Sequence, residues 1–313
     1  MRIFDKPNFN FTGWRWQALV LSAVVLCAGL ATIVVRGGLP LGVDFTGGTV
    51  IVVDFEQPVT GDAVRNALGD RSSDAVVQRF GSEAENQILI RLPLTDDDGG
   101  LDASATAVEQ SLQNAGLGEF IIVNRDLVSP TIGSDLRGKA LWATITALGG
   151  ILAYIAFRFR FSFAVGAVAA TFHDILITVV FLTWFGYDLS LNVVAAILTI
   201  AGYSVNDTVV VFDRVRETQR MARKDGLESV VNRAVNQTLG RTVITSGTTL
   251  MAVLALFVFG GEVLRGFAFT MIVGVISGTY STVFIASSVA IILSGRSAPA
   301  QSAASAGRRR ARA

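Results

Sequence analysis

Long apolar runs separated by shorter polar segments dominate the hydropathy pattern of this chain. A hydrocarbon core of about 30 Å is crossed by a helix of roughly 20 apolar residues. Six runs reach that length, at 17–35, 139–157, 161–185, 189–212, 242–259 and 264–293. The pattern predicts a polytopic α-helical membrane protein with six transmembrane helices, the last long enough to tilt or extend past the bilayer. A cleaved signal peptide is the alternative for the first run, which stays apolar for longer than a typical signal core.

The segment between the first two runs has a different pattern, with short β-branched stretches alternating with helical ones. Strands are predicted at 49–55, 75–80, 86–92 and 119–128, and helices at 60–68 and 102–115. This βαββαβ order is typical of an α+β ferredoxin-like domain. Acidic residues outnumber basic ones 16 to 5 between 37 and 135, which favours solubility and also permits contact with basic or unfolded chains. The run Asp96-Asp97-Asp98 lacks the regular ligand spacing of a calcium loop.

The distribution of Lys and Arg predicts the orientation. If the N-terminus is cytoplasmic, 17 of the 26 basic residues fall on the cytoplasmic side, as the positive-inside rule requires. Both termini are then cytoplasmic. The predicted organisation is a cytoplasmic N-terminus at 1–16, a first span at 17–35, an extracytoplasmic domain at 37–136, spans two to six within 138–293 with a cytoplasmic loop at 213–241, and a disordered basic tail at 294–313.

The residue inventory argues against an enzyme. Cys27 is the only cysteine and His173 the only histidine, so neither an internal disulfide nor a metal site rich in these residues is possible. The predicted domain has no serine beside a base, and no phosphate-binding loop occurs. We therefore expect no catalytic residues, no cofactor and no metal. The net charge of +1 gives no indication of nucleic-acid binding.

Ionisable residues within the apolar runs are candidates for function, because a charge in hydrocarbon is costly unless it is paired or hydrated. Asp207 lies about five residues, or roughly 7 to 8 Å, from the end of the fourth run, and Arg241 begins the fifth. Small and polar residues form one stripe beside each of them: Asn192, Ala195, Thr199, Gly202 and Asn206 on the fourth run, and Arg241, Thr245, Thr248, Ala252 and Ala255 on the fifth. Such faces allow close helix packing. A carboxyl group between them is either a structural ion-pair partner of Arg241 or a proton-coupled switch.

His173 and Asp174 form a second candidate site, past the midplane of the third run. As adjacent residues they point to different helix faces and need not touch. They are either a buried packing pair or a second station in a proton path. On the sixth run, Gly274 and Gly278 with Ser277 and Ser281 predict helix packing.

Two motifs carry a resemblance to a known family. Asp44-Phe45-Thr46-Gly47-Gly48 follows the first run and forms a specially shaped turn, because glycine adopts backbone angles that other residues resist. It resembles the signature of the SecD/SecF family of protein-export subunits, within the resistance-nodulation-division superfamily. The segments 202–214 and 237–246 resemble the matching segments of its SecF branch, which six spans and a single small domain also favour.

The resemblance implies a function, partners and site residues. It implies a multi-pass protein of the bacterial inner (cell) membrane that pairs with SecD, works beside the SecYEG channel and uses the proton motive force to translocate unfolded preproteins, with YajC as a further candidate partner. It also assigns proton transport to Asp207 and Arg241, with Thr245, His173 and Asp174 as further candidates. Two alternatives remain: a proton-coupled efflux transporter of the same superfamily, and a passive translocon assembly subunit, which does not need Asp207 in the membrane.

Overall fold

The computed structural model describes residues 7–73, 75–80, 86–92, 101–222 and 224–296. The first six residues, the Asp96-Asp97-Asp98 run and the tail from 297 lie outside the described residues. The helices of the described chain are α1 (Arg15–Val35), α2 (Val43–Thr46), α3 (Gly61–Ala67), α4 (Leu101–Asn114), α5 (Pro130–Arg158), α6 (Phe161–Phe185), α7 (Leu191–Met221), α8 (Leu227–Phe259), α9 (Gly261–Ser281) and α10 (Ser287–Arg296). A π-helical turn, Thr282–Ala286, joins α9 to α10.

Six helical segments in the described chain are long and apolar enough to cross a membrane, which confirms the predicted number of spans. They are α1, α5, α6, α7, α8 and the continuous α9–α10 unit. Helices α7 and α8 extend far beyond the apolar runs, so most of the segment 213–241 is helical and only 222–226 separates them. No proline or glycine interrupts α7 after Phe212, and the helix can therefore continue into the polar sequence.

The bundle has an interior and a perimeter. Helices α6, α7 and α9 pack against one another, and α8 packs on both α7 and α9. Helix α1 packs on α6, and α5 contacts α6 and α7 while leaving most of its surface exposed. The helices on the perimeter therefore present apolar side chains outward, as a lipid environment requires, whereas a water-soluble bundle would bury them.

The domain between α1 and α5 is a four-stranded antiparallel sheet with two helices. Its strands are β1 (Gly48–Phe55), β2 (Val76–Phe80), β3 (Gln87–Leu92) and β4 (Phe120–Val128), in the spatial order β2-β3-β1-β4. Strand β1 runs antiparallel to both β3 and β4, and β3 antiparallel to β2, so β1 and β2 are parallel with β3 between them. This is the arrangement of a split βαβ unit, which agrees with the α+β class predicted from the sequence.

One face of the sheet carries the core of this domain. Val53, Phe55 and Ile90 from the strands pack with Val64 of α3 and Val108 of α4, and all five side chains are buried. The alternation of buried and half-buried residues along β3 follows the two-residue period of a strand with one covered face. The strong side-chain period explains why the strand positions could be predicted from the sequence.

The sheet domain is attached to the helix bundle through the loop between α6 and α7. Gly42 N donates to Leu189 O at 2.8 Å, and Leu189 N donates to Pro40 O at 2.7 Å. The side chains of Arg91 in β3 and Asp188 in this loop form an ion pair. The position of the domain over the bundle is thus fixed by contacts other than its chain connections to α1 and α5.

Candidate functional site

Asp207 lies on the side of α7 that faces α8. Thr242 Oγ1 donates a hydrogen bond of 2.7 Å to Asp207 Oδ1. Asp207 Oδ2 is buried, yet it accepts no hydrogen bond from the described residues. The Thr282 hydroxyl, which is hydrogen-bonded to Thr208 Oγ1 at 2.9 Å, also lies near the Asp207 carboxyl group. A buried carboxyl group is costly to ionise when one of its oxygens lacks a hydrogen-bond donor. The surroundings of Asp207 therefore stabilise its negative charge only in part.

Arg241 lies one residue before Thr242 but points elsewhere. Its side chain is exposed, and no ion pair within 4.0 Å joins it to Asp207 among the described residues. Thr245, one turn further along α8, is exposed as well. The structure therefore brings Asp207 to Thr242, a residue that the sequence analysis did not single out, while Arg241 and Thr245 lie together on the outer face of α8.

The two stripes of small and polar residues are also on the outside. All ten members are exposed: Asn192, Ala195, Thr199, Gly202 and Asn206 on α7, and Arg241, Thr245, Thr248, Ala252 and Ala255 on α8. The expectation that the stripes pack against each other is therefore not met, because α7 and α8 meet through different faces. The two stripes are therefore exposed surfaces of small and polar residues, which allow another helix to approach closely.

Asp174 is the most enclosed charged residue of the bundle described here. It is completely buried, and three serine hydroxyls donate to its carboxylate. Ser204 and Ser281 donate to Oδ2, each at 2.6 Å, and Ser277 donates to Oδ1 at 2.6 Å. These serines belong to α7 and α9, so one α6 carboxylate holds three helices together. Charge-assisted hydrogen bonds of this length are stronger than neutral ones.

His173 contacts Asp174 after all, although the two are adjacent in sequence. Its Nδ1 lies 3.1 Å from Asp174 Oδ1, and its Nε2 lies 3.0 Å from Ser22 Oγ of α1. Ser22 in turn donates to the Tyr280 hydroxyl at 3.2 Å, which donates to the Ala18 carbonyl at 2.7 Å. A chain of hydrogen bonds therefore runs from the buried carboxylate through the imidazole to α1.

The serines on α9 have a role beyond packing. The glycines do provide close helix contact, since a Cβ at Gly274 would lie 2.2 Å from Ile200 Cδ1. Ser277 and Ser281, however, are hydrogen-bond donors to Asp174. Their spacing of four residues from each other places them on one helix face, which is the signal in the sequence that could have indicated a buried partner.

The Asp174 and Asp207 clusters are one helical turn apart. Ser204, which binds Asp174, precedes Thr208 by four residues on α7, or about 6 Å. On the opposite helix, Ser281 of the Asp174 cluster is followed directly by Thr282, the partner of Thr208. The π-helical turn begins at Thr282, and such turns occur frequently at functional sites because they shift the register of a helix.

The Asp44-Phe45-Thr46-Gly47-Gly48 segment lies where the bundle meets the sheet domain. Asp44 Oδ2 accepts a hydrogen bond from the Leu191 amide at the start of α7, at 2.8 Å. Phe45 is buried. Gly47 has a φ of 73° and a ψ of 163°, and Gly48 has a φ of 137°, both in regions that glycine alone adopts readily. The segment thus joins helix and strand through a backbone shape that other residues resist.

Comparison with protein-family models identifies the chain's relatives. Residues 107–296 match the C-terminal model of the protein export membrane protein SecD/SecF family, and residues 33–59 match the SecD/SecF GG motif. The chain belongs to the SecD/SecF family. The larger match includes Asp174, Asp207 and Arg241, and the smaller one includes the whole glycine motif. These candidate functional residues therefore lie within the regions that match the family.

Individual relatives agree with the family assignment. The chain is 41% identical over 305 residues to the protein translocase subunit SecF of Rhodothermus marinus, covering 95% of this chain and 97% of that protein. It is 37% identical over 289 residues to the SecF subunit of Escherichia coli O157:H7, covering 92% and 88%.

Solved structures show the same fold. The crystal structure of SecDF, a translocon-associated membrane protein from Thermus, aligns with a TM-score of 0.81 and 34% identity over 92% of this chain. A SecDF structure in a super-membrane-facing form aligns with a TM-score of 0.68 and 35% identity over 98% of this chain. This family member spans only 39% and 41% of those two SecDF chains.

Proposed function

We propose that this protein is a SecF-like subunit of a SecDF complex, which uses the proton motive force to assist translocation of preproteins through the SecYEG channel and their release on the outer side. Its relatives are named as protein translocase subunits, which describes a transport role rather than an enzymatic one. The observation that carries the proton-coupled part is Asp207, a carboxyl group within a membrane span whose Oδ2 atom is buried and accepts no hydrogen bond from the described residues.

The proposed location is the bacterial inner membrane, with both termini in the cytoplasm. The excess of Lys and Arg at the end of the bundle away from the sheet domain supports this orientation. The sheet domain then lies on the extracytoplasmic side, where a translocating chain emerges. Its acidic composition suits contact with basic or unfolded segments.

The proposed partner is SecD, which covers the exposed stripes on α7 and α8. Asn192 and Asn206 place amide groups on a surface that would otherwise meet hydrocarbon, where unsatisfied polar groups are costly. Small residues between them allow a second bundle to approach closely. The SecDF chains in the aligned structures are more than twice as long as this chain. The part of those chains that this chain does not match is therefore long enough to correspond to a partner of similar size. SecYEG and YajC are the further proposed partners of the assembled complex.

In the proposed mechanism Asp207 carries the proton and Arg241 modulates it. When Asp207 is ionised, the Thr242 hydroxyl and the positive field of Arg241 favour its charge and hold α7 close to α8. Protonation removes that attraction and permits a second helix packing. The hydrogen-bonded chain through Asp174, His173 and Ser22 would serve as a second station that connects the interior to α1. Helix α1 and the glycine motif then transmit the change to the sheet domain.

Asp207→Asn tests the mechanism because it keeps the side-chain shape but cannot titrate. In vesicles reconstituted with the complex and the channel, the variant should assemble normally, lose the gradient-dependent part of preprotein export and keep the gradient-independent part. Asp213→Asn is a matched control six residues along α7, where the carboxylate is partly exposed and paired with Arg158, and it should respond to the gradient as wild type does. A wild-type gradient response of Asp207→Asn would instead favour a passive assembly role.

A further inference from the structure

A cavity of about 560 Å³ lies at the end of the bundle opposite the sheet domain. Four arginines line it: Arg158 at the end of α5, Arg160 just before α6, and Arg216 and Arg220 on α7. The last two are four residues apart and therefore lie on one face of the helix. No residue of the proposed proton path lines this cavity, so it is a separate feature of the protein.

The positive charge of this cavity is largely uncompensated within the described chain. Arg158 Nη2 donates to both carboxylate oxygens of Asp213, at 2.7 and 2.9 Å. The side chains of Arg160, Arg216 and Arg220 form no ion pair or hydrogen bond with any described residue. Four guanidinium groups thus face one carboxylate, and three of them have donors available for an anion.

The floor of the cavity is aromatic. Phe159, Phe163 and Phe212 line it, and the Phe212 ring packs edge-on against both others, at 5.9 and 5.0 Å between ring centroids. Phe212 precedes Arg216 by one turn, so an apolar and a cationic side chain are neighbours on the same face of α7. An apolar surface next to a cationic one suits a ligand with an apolar portion and an anionic head.

The position along the bundle indicates where that ligand resides. Phe157 and Phe161 immediately precede and follow the lining residues 158–160 in the sequence and are 96% and 81% exposed, so they point outward from a bundle whose perimeter is apolar. Trp14 and Trp16, at the start of α1, are also exposed. Tryptophan is enriched at the membrane–water interface. The cavity therefore opens at the level of the lipid headgroups.

We propose that this cavity binds the phosphate headgroup of an anionic phospholipid, with Arg160, Arg216 and Arg220 holding the phosphate oxygens. Arg158, held by Asp213 and stacked over Phe159 at 5.1 Å, fixes the wall of the site. Of the three aromatic residues, the half-buried Phe159 would contact the first part of the acyl chains, whereas Phe163 and Phe212 are buried in the bundle. Basic pockets between membrane helices bind such headgroups through the same combination of charge and apolar contact, and a volume of this size suits a small ligand.

The test uses the full chain purified in detergent and measures retained lipid by native mass spectrometry. The probes are phosphatidylglycerol, diphosphatidylglycerol, zwitterionic phosphatidylcholine and inorganic phosphate. The double variant Arg216→Gln/Arg220→Gln removes two of the proposed phosphate-binding side chains. The control variant Arg214→Gln/Arg233→Gln removes the same charge from arginines that pair with Glu217 and Asp225. Wild type and control should retain one anionic lipid and no phosphatidylcholine. Loss of roughly fivefold per arginine, about 25-fold in all, is expected for the cavity variant.

The alternatives give different results. Equal loss in the control variant, or retention of phosphatidylcholine as strong as that of the anionic lipids, would overturn a specific headgroup site. Inorganic phosphate that displaces the lipid at equal concentration would assign the cavity to a soluble anion and would likewise overturn the lipid proposal. If the cavity variant folds poorly, the salt dependence of the wild-type protein is the second test. Its retention of the anionic lipid should fall steeply as the salt concentration is raised, and unchanged retention would contradict the proposal.

Discussion

Asp174→Asn replaces a buried carboxylate by an amide of nearly the same shape. The carboxylate accepts from Ser204 and Ser281 at one oxygen, and from Ser277 and His173 at the other. The amide has one oxygen, so one of these two pairs meets an NH₂ group, which can only donate, and its partners lose their charge-assisted hydrogen bonds even if the serine hydroxyls turn to accept. A hydrogen bond to a charged group contributes about 1.5 to 3 kcal/mol. Loss of one such pair at a fully buried position should lower the free energy of unfolding by about 3 to 5 kcal/mol.

Equilibrium unfolding in mixed detergent micelles, followed by tryptophan fluorescence, measures this change. Asp135→Asn is the control, since Asp135 is exposed and pairs with Lys139 one turn away on α5. Such surface pairs contribute about 0.2 to 1 kcal/mol, and the control should change stability by no more than that. If Asp174→Asn is destabilised by less than about 1 kcal/mol, the carboxylate does not hold α6, α7 and α9 together as argued from its contacts.

Two further predictions concern the junction between the sheet domain and the bundle. Gly47→Ala should destabilise the protein by about 1 to 3 kcal/mol, because the backbone of Gly47 lies in a region almost restricted to glycine. Gly138→Ala is the control and should have no such cost, since Gly138 lies within α5 with open space around it. Equal stability of the two variants would mean that the backbone angles of Gly47 do not require glycine. Arg91→Ala and Asp188→Ala should show a coupling energy of about 1 kcal/mol in a double-mutant cycle of unfolding, whereas additive effects would mean that the ion pair does not attach the domain.

The secondary structure of this protein was determined by local patterns. Apolar runs of membrane length fixed the six helices, and the two-residue period fixed the strands to within one or two residues of their observed limits, as β3 at Gln87–Leu92 illustrates. The glycine motif was recognisable because Gly47 and Gly48 supply backbone angles that other residues do not adopt readily. Helix extension was not predictable from hydropathy, since the polar ends of α7 and α8 are helical without being apolar.

The site was only partly determined by the sequence. Intramembrane charge singled out Asp174, Asp207 and Arg241 because such charges are costly in hydrocarbon. Their partners were not predictable in this way. Serine and threonine hydroxyls are common in membrane helices and carry no charge, so nothing in the sequence distinguished Thr242 or Ser204 from residues that satisfy only their own backbone.

The rotation of each helix about its axis was decided by the tertiary structure alone. Small, polar stripes on α7 and α8 indicated two surfaces suited to close packing, but a stripe does not specify which helix covers it. The packing of α7 and α8 against α9 buries Thr242 and Asp207 Oδ2 while it leaves Arg241 and Asn206 exposed. A helix buries whichever face gives the best total contact with all of its neighbours, and that total depends on residues far apart in the chain.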